Sequence, residues 1–315
     1  MQILISIVLI ILLLRWINIG DMLSLLKNVN LLYLALLLVL ISFDRIFMAY
    51  KWHMLLKVKD TSISFSSAVK SYYIGTFIGF FLPATVGGDI VRVLKLRSER
   101  KKGTDVLSSV ILERMLGLIA AAILAPIAVL FLISFFELDI WIFLLIAGVL
   151  LFLFIILMLI PFNEFIFQKI NKNQRLARSL LFNKFKKIYQ SYAEYKNRRS
   201  LLVLFLILSI LEQLIPVVAN YLASRALNLS IPFIYFLLII PLVQLISKIP
   251  ISFEGFGINE GLLVYFFALL GLSGTGAFTI GLLGHISIMI AALPGLYFYI
   301  KDIRASFRQG RNEGR

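Results

Sequence analysis

Two short stretches of this sequence place helix breakers beside ionisable groups within otherwise apolar runs. The first reads LPATVGGDIVR and holds Pro83, Gly87, Gly88, Asp89 and Arg92. The second reads KIPISFEGFGINE and holds Lys248, Pro250, Glu254, Gly255, Gly257, Asn259 and Glu260. Proline interrupts a helix and paired glycines favour turned backbone. At membrane depth such backbone must be buried in protein or line a water-filled cavity. Its free N–H groups and half-helix N-termini favour an anionic group. Asp89 and Arg92, spaced i and i+3, share one face of a helix. A third polar spot is Glu113–Arg114 in SSVILERMLGLIAAAI. Adjacent residues on a helix point apart, so each needs a partner elsewhere in the bundle. Glu212 in SILEQLIP is a functional or packing acid, and His285 in GLLGHISIMI is an interior hydrogen-bond donor. Ionisable groups inside membrane segments are costly and default to functional candidates.

The chemistry open to these groups is narrow. They can hold a phosphate or another anionic headgroup, or a carboxylate among them can act as acid or base in a membrane-embedded enzyme. There is no Gly-rich loop followed by Lys-Ser/Thr, no zincin pattern and no nucleophile elbow. The chain has no cysteine, which excludes thiol catalysis and thiolate metal sites. Its two histidines, His53 and His285, lie far apart. No metal centre and no cofactor are expected.

The elements that must position these groups are membrane helices. Of 315 residues 61% are hydrophobic and only 15% charged, against about 25% charged in a typical soluble domain. Runs such as IWIFLLIAGVLLFLFIILMLI reach the roughly 20 residues needed to cross a bilayer. The first run, about residues 2–19, lacks a basic leader and a small-residue cleavage site, so it reads as a retained helix. Further segments fall at about 31–50, 105–133, 140–160, 200–222 and 276–300. The net charge is +15, and the cations cluster. Segments 51–59, 92–102, 169–199 and 301–315 hold three, six, ten and five of the 31 Lys and Arg. The positive-inside rule puts these zones, and both termini, in the cytoplasm of a multi-pass cell-membrane protein. Because the charge follows the ends of apolar runs, topology explains it better than nucleic-acid binding does. Arg15, Trp16, Trp52 and His53 read as interface anchors. Gly75, Gly79 and Gly117 offer close helix contact.

Residues 62–91 lie between two basic zones, too long for one helix and too short for two crossings. They predict a hairpin that enters and turns within the membrane. Residues 231–270 have the opposite setting and predict a second. Their similar breaks and opposite entry are the pattern of an inverted repeat. The expected fold is an all-α polytopic membrane protein with about eight segments, two of them broken or re-entrant hairpins. One transmembrane domain spans 1–315. Within it, 162–199 is a basic amphipathic segment along the cytoplasmic interface, and 301–315 is a basic tail.

FLPATVGGDIVRVLKLR (80–96), ILERMLGLIA (111–120) and KIPISFEGFGINEG (248–261), in this order, resemble the transmembrane region of lysylphosphatidylglycerol synthase, the flippase-like domain family. The likeness covers nearly the whole chain. Relatives carry proline followed directly by glycine in the first break, whereas Ala84 follows Pro83 here. In multidomain relatives a soluble domain transfers an amino acid to phosphatidylglycerol, and the membrane part moves the product between leaflets. The soluble domain is not expected here. The resemblance implies a lipid-handling membrane core whose substrate-binding residues are those of the two breaks and the Glu113–Arg114 pair.

Three functions follow as alternatives. One is a flippase or headgroup transporter for an anionic phospholipid or a polyprenyl-phosphate-linked glycolipid. Another is a membrane-embedded transferase or hydrolase acting on a lipid-linked phosphate. The third is a non-catalytic partner of a lipid-modifying synthase or glycosyltransferase at the cytoplasmic face. No ATP motif is visible, so the energy source and the oligomeric state stay open.

Overall fold

The computed structural model describes residues 2–59, 63–82, 87–98, 103–136, 197–247 and 252–313, with isolated positions at 145, 148, 152, 194 and 195. The segment expected at 140–160, and most of the interfacial segment at 162–199, lie outside the described residues. The described chain is helical throughout, as an all-α polytopic membrane protein. Among the described residues, four helices are long and apolar enough to cross a membrane, or five if a bent pair at the N-terminus counts as one.

That pair is α1 (Gln2–Leu14) and α2 (Ile19–Lys27), whose axes meet at 97°. The single helix expected over 2–19 therefore ends early. Asn18 explains the stop: its side chain accepts the Gly20 and Asp21 N–H groups and starts α2. Asn30 does the same for α3 (Leu31–Lys57), accepting from Leu32 at 3.0 Å. Each cap stabilises its helix by about 1 kcal/mol.

Helix α3 runs on to Lys57, beyond the boundary read from the sequence. Leu36, Val39, Phe43 and Ile46 cover its outer side, while Leu37, Ile41, Asp44 and Lys51 are buried. The first hairpin follows, formed by α4 (Phe65–Gly79) and α5 (Gly87–Ser98). Its arms meet backbone to backbone, since a Cβ on Gly88 would lie 2.6 Å from the Gly75 carbonyl oxygen. Gly79 also packs on Gly88, whereas Gly117 has open space beside it. Helix α6 (Gly103–Phe136) is long and contains Pro126.

The next span is one 28-residue crossing in two pieces, α7 (Arg199–Glu212) and α8 (Leu214–Ala226). Pro216 has no N–H for the Glu212 carbonyl four residues back, so the helix loosens there. The second hairpin comprises α9 (Phe233–Ser247), a 3₁₀ turn (Phe253–Gly255) and α10 (Ile258–Leu269). Gly255 and Gly257 adopt φ of +80° and +85°, a left-handed backbone that glycine tolerates without a Cβ penalty. Helix α11 (Gly274–Glu313) carries on through the region expected to be a separate tail.

Helix packing relates two units, α3–α6 and α7–α11. Within the first, α3 packs on α4 and α6; within the second, α8 packs on α9 and α11. Across the boundary α6 packs on α9 and α7, while α11 packs on α4 and α3. Exchanging α3 with α7–α8, α4 with α9, α5 with α10 and α6 with α11 returns the same pattern. A core centred on Leu37, Ile41, Val217, Phe236, Leu263 and Phe267 joins the units.

Candidate functional site

A cavity of about 480 Å³ opens between the two units. Both hairpins contribute to its wall, with Asp89 and Arg92 from the first and Gly255 and Asn259 from the second. Four cations line it, Arg45, Lys51, Arg92 and Arg114, and four carboxylates, Asp44, Asp89, Glu113 and Glu212. The equal numbers make it a polar chamber and not a uniformly positive one. Gln213, Asn220, Gln244, Ser247 and His285 add further hydrogen-bonding groups.

The first charged network ties α5 to α6. Arg92 is buried and pairs with Asp89 one turn before it and with Glu113, at 2.9 Å. Its guanidinium lies over the rings of Tyr72, at 4.2 Å, and Trp52, at 4.7 Å. Tyr72 donates its hydroxyl to the other Glu113 oxygen at 3.2 Å. Arg114 pairs with Asp89, and its side chain remains 43% exposed. Glu113 and Arg114 thus point to different partners, as adjacent helical residues must. Both Arg92 carboxylate partners are held in ion pairs, which leaves neither as an unengaged base.

The second network ties α3 to α7. Lys51 is 2% exposed, donates to Ser209 Oγ at 2.9 Å, pairs with Glu212 and lies 4.8 Å from the Phe205 ring. Lys51 was counted in the sequence as part of a basic loop. Its burial overturns that count, because α3 continues past it and Glu212 waits on the opposite helix. Trp52, expected at an interface, is likewise buried, with its indole N–H on Ser109 Oγ at 3.0 Å. Asp44 and Arg45, not singled out in the sequence, pair with each other at 2.6 Å. Two charges in the middle of LVLISFDRIFMAY were the available signal. Gln213, freed by the loosened helix, reaches the Gly117 carbonyl at 3.2 Å.

The second hairpin carries a third polar contact. Glu260 is fully buried; it accepts the Gly257 N–H at 2.7 Å and meets His285 of α11. The Phe256 ring stacks on His285 with centroids 3.9 Å apart. Gly87 and Gly88 start α5 beside the cavity, and Gly257 starts α10. Pro83, Lys248 and Pro250 lie outside the described residues. Glu254 is placed by its backbone, within the 3₁₀ turn.

No solved structure matches the chain. A UPF0104 membrane protein of Methanothermobacter thermautotrophicus is 24% identical over 299 residues, covering 86% of this chain and 84% of that protein. A UPF0104 membrane protein of Pyrococcus horikoshii is 23% identical over 325 residues, covering 95% and 96%. Matched from residue 1 to residue 295, the chain belongs to the lysylphosphatidylglycerol synthase TM region family.

Proposed function

We propose that this protein moves the polar headgroup of a phosphate-bearing membrane lipid between leaflets. The observation that carries the reading is the charged cavity, walled by both hairpins and enclosed by helices whose outer faces are apolar. Such a chamber lowers the cost of taking a headgroup through hydrocarbon, where an unpaired charge costs several kcal/mol. The acyl chains stay outside, along the apolar surface. Arg114 is the cavity cation best placed to receive a phosphate, because its guanidinium is half exposed while Arg92 and Lys51 are buried. The lining carboxylates suit a headgroup that also donates hydrogen bonds, as the glycerol of phosphatidylglycerol does. Two units in exchange-related packing, inserted in opposite directions as the basic zones predict, supply the alternative openings that leaflet exchange needs.

The test is reconstitution into vesicles containing phosphatidylglycerol labelled with a fluorophore on an acyl chain. Reduction of the outer-leaflet label by dithionite then reports exchange. The protein is expected to raise the exchange rate at least tenfold over empty vesicles, and Arg114→Gln to remove most of that gain while preserving the folded protein. Equal rates in protein-containing and empty vesicles for phosphatidylglycerol, other phospholipids and a polyprenyl phosphate alike would reject the reading.

A further inference from the structure

Glu260 and His285 belong to the second unit but take no part in either ion-pair network. The Glu260 carboxylate is fully enclosed. One oxygen accepts the Gly257 N–H and closes the left-handed turn that begins α10. The other meets His285 Nδ1, the side chain that faces it across the gap to α11. Gly281, one turn earlier on α11, admits this approach, since a Cβ there would lie 3.1 Å from Glu260 Cγ. His285 also lines the cavity. With Nδ1 engaged by Glu260, Nε2 is the ring nitrogen left to exchange a proton with cavity water.

The charge at this point depends on one proton. Imidazolium beside carboxylate is neutral overall. When the ring gives a proton to cavity water, a buried net charge of −1 remains, and such a charge is strongly disfavoured without a partner. The same proton sets the charge balance across the contact between α10 and α11: with it the contact is an ion pair, and without it a neutral ring donates to a lone carboxylate. Gain or loss of the proton therefore acts on the turn of the second break, at the cavity wall.

The first unit shows the equivalent contact with a fixed charge. Asp89 of α5 pairs with Arg114 of α6, and Glu260 of α10 pairs with His285 of α11; in each the partner lies 25 residues further along. The exchange of units maps one pair on the other. The half with arginine holds its cation permanently, and the half with histidine can release a proton.

We infer that Glu260–His285 is a binding site for a coupling proton, which drives rearrangement of the second hairpin during headgroup transport. The inference rests on the transport reading. Other titratable groups facing the cavity are engaged: Asp89, Arg92, Glu113 and Arg114 with one another, Tyr72 with Glu113, Lys51 with Glu212, and Asp44 with Arg45. Helices α8 and α9 present the amides Asn220 and Gln244. Helix α1 meets the second break through Leu9 and Leu13. Helix α2 meets α11 at Thr275, and α4 meets it at Gly295 beside Tyr73.

The chain has only two histidines, so His53→Gln leaves His285 as the sole source of histidine signals. In lipid nanodiscs, ¹⁵N-histidine spectra of that protein should show the ring gaining and losing a proton between pH 5 and 9. Glu260→Gln should shift that transition, because the carboxylate facing Nδ1 is gone. A ring that keeps one protonation state across this range, or a transition that Glu260→Gln leaves in place, overturns the proposal without needing any variant of His285. In vesicles, a pH gradient should change the exchange rate of labelled phosphatidylglycerol at least threefold, and His285→Gln should abolish that response. Lipid exchange that ignores the gradient in the parent protein refutes proton coupling while leaving transport intact. A titrating His285 in a protein that moves no lipid keeps the proton site and rejects the transport reading.

Discussion

Removing Arg92 should cost far more than removing Arg114, although both pair with Asp89. Arg92 is 5% exposed, bridges Asp89 and Glu113, and lies over the rings of Tyr72 and Trp52. In Arg92→Met, Glu113 stays enclosed with the Tyr72 hydroxyl but without the guanidinium. Breaking a buried pair from one side costs about 3–5 kcal/mol, mostly through the charge left behind. Arg114 is 43% exposed, and in Arg114→Met Asp89 keeps its pair with Arg92, so the loss should be about 1 kcal/mol or less. The origin of the larger loss is tested by adding Glu113→Leu to Arg92→Met. The second change removes the stranded carboxylate and leaves Asp89 with Arg114, so it should restore stability, with an interaction term of about 1–3 kcal/mol. Reversible unfolding in mixed lipid–detergent micelles, followed by far-ultraviolet circular dichroism, measures the parent, Arg92→Met, Arg114→Met, Glu113→Leu and the double variant. Equal losses for the two arginine variants, or strict additivity in the double variant, would show that the network does not hold the hairpin to α6.

Lys51→Met should destabilise the protein by about 3 kcal/mol in the same unfolding assay, and adding Glu212→Leu should recover part of it. Gly88→Ala forces a Cβ to within 2.6 Å of the Gly75 carbonyl oxygen and should lower stability by about 1–3 kcal/mol, whereas Gly117→Ala meets open space and should be near neutral. The chain has no cysteine, so single cysteines report access directly. Asn220→Cys and Gln244→Cys should react with a water-soluble maleimide, and Leu238→Cys, 4% exposed in the core, should not. His285→Arg places a fixed cation opposite Glu260, as Arg114 stands opposite Asp89. It should keep the fold and lose the response of lipid exchange to a pH gradient.

Much of the arrangement was legible from residue type and local spacing. Asp89 and Arg92 at i and i+3 had to share a face, and they form an ion pair. Glu113 and Arg114, being adjacent, had to diverge, and they hold different partners. The breaks at Gly87–Gly88 and Gly255–Gly257 were legible because glycine and proline act through the local backbone. Lys51 was not legible, because a lysine near the end of an apolar run looks the same whether it reaches water or a carboxylate. Its partner lies 161 residues away, on a helix that α3 meets only in the folded bundle. The interruption at Gln213, beside Glu212, was announced by Pro216, yet it matters to the site only when the direction of its side chains is known. Direction is a property of the packing.

The pairing of hairpin and long helix explains why the chamber holds charges at all. An apolar contact between α5 and α6 would be indifferent to small sliding motions, since lipid and leucine are alike in hydrophobicity. An ion pair is not indifferent: sliding by one turn separates the charges inside a medium that does not compensate them. The first unit places such a pair between its second hairpin arm and its long helix, the second unit sets Glu260 against His285 at the matching place, and Lys51–Glu212 adds a pair where α3 crosses α7. The contacts that must stay registered are therefore fixed by charge, and the surfaces between them, lined by Gly281, Gly284 and Gly117, are left smooth. Fixing points of this kind favour a few discrete arrangements over a continuum, which the proposed opening to one side at a time would need.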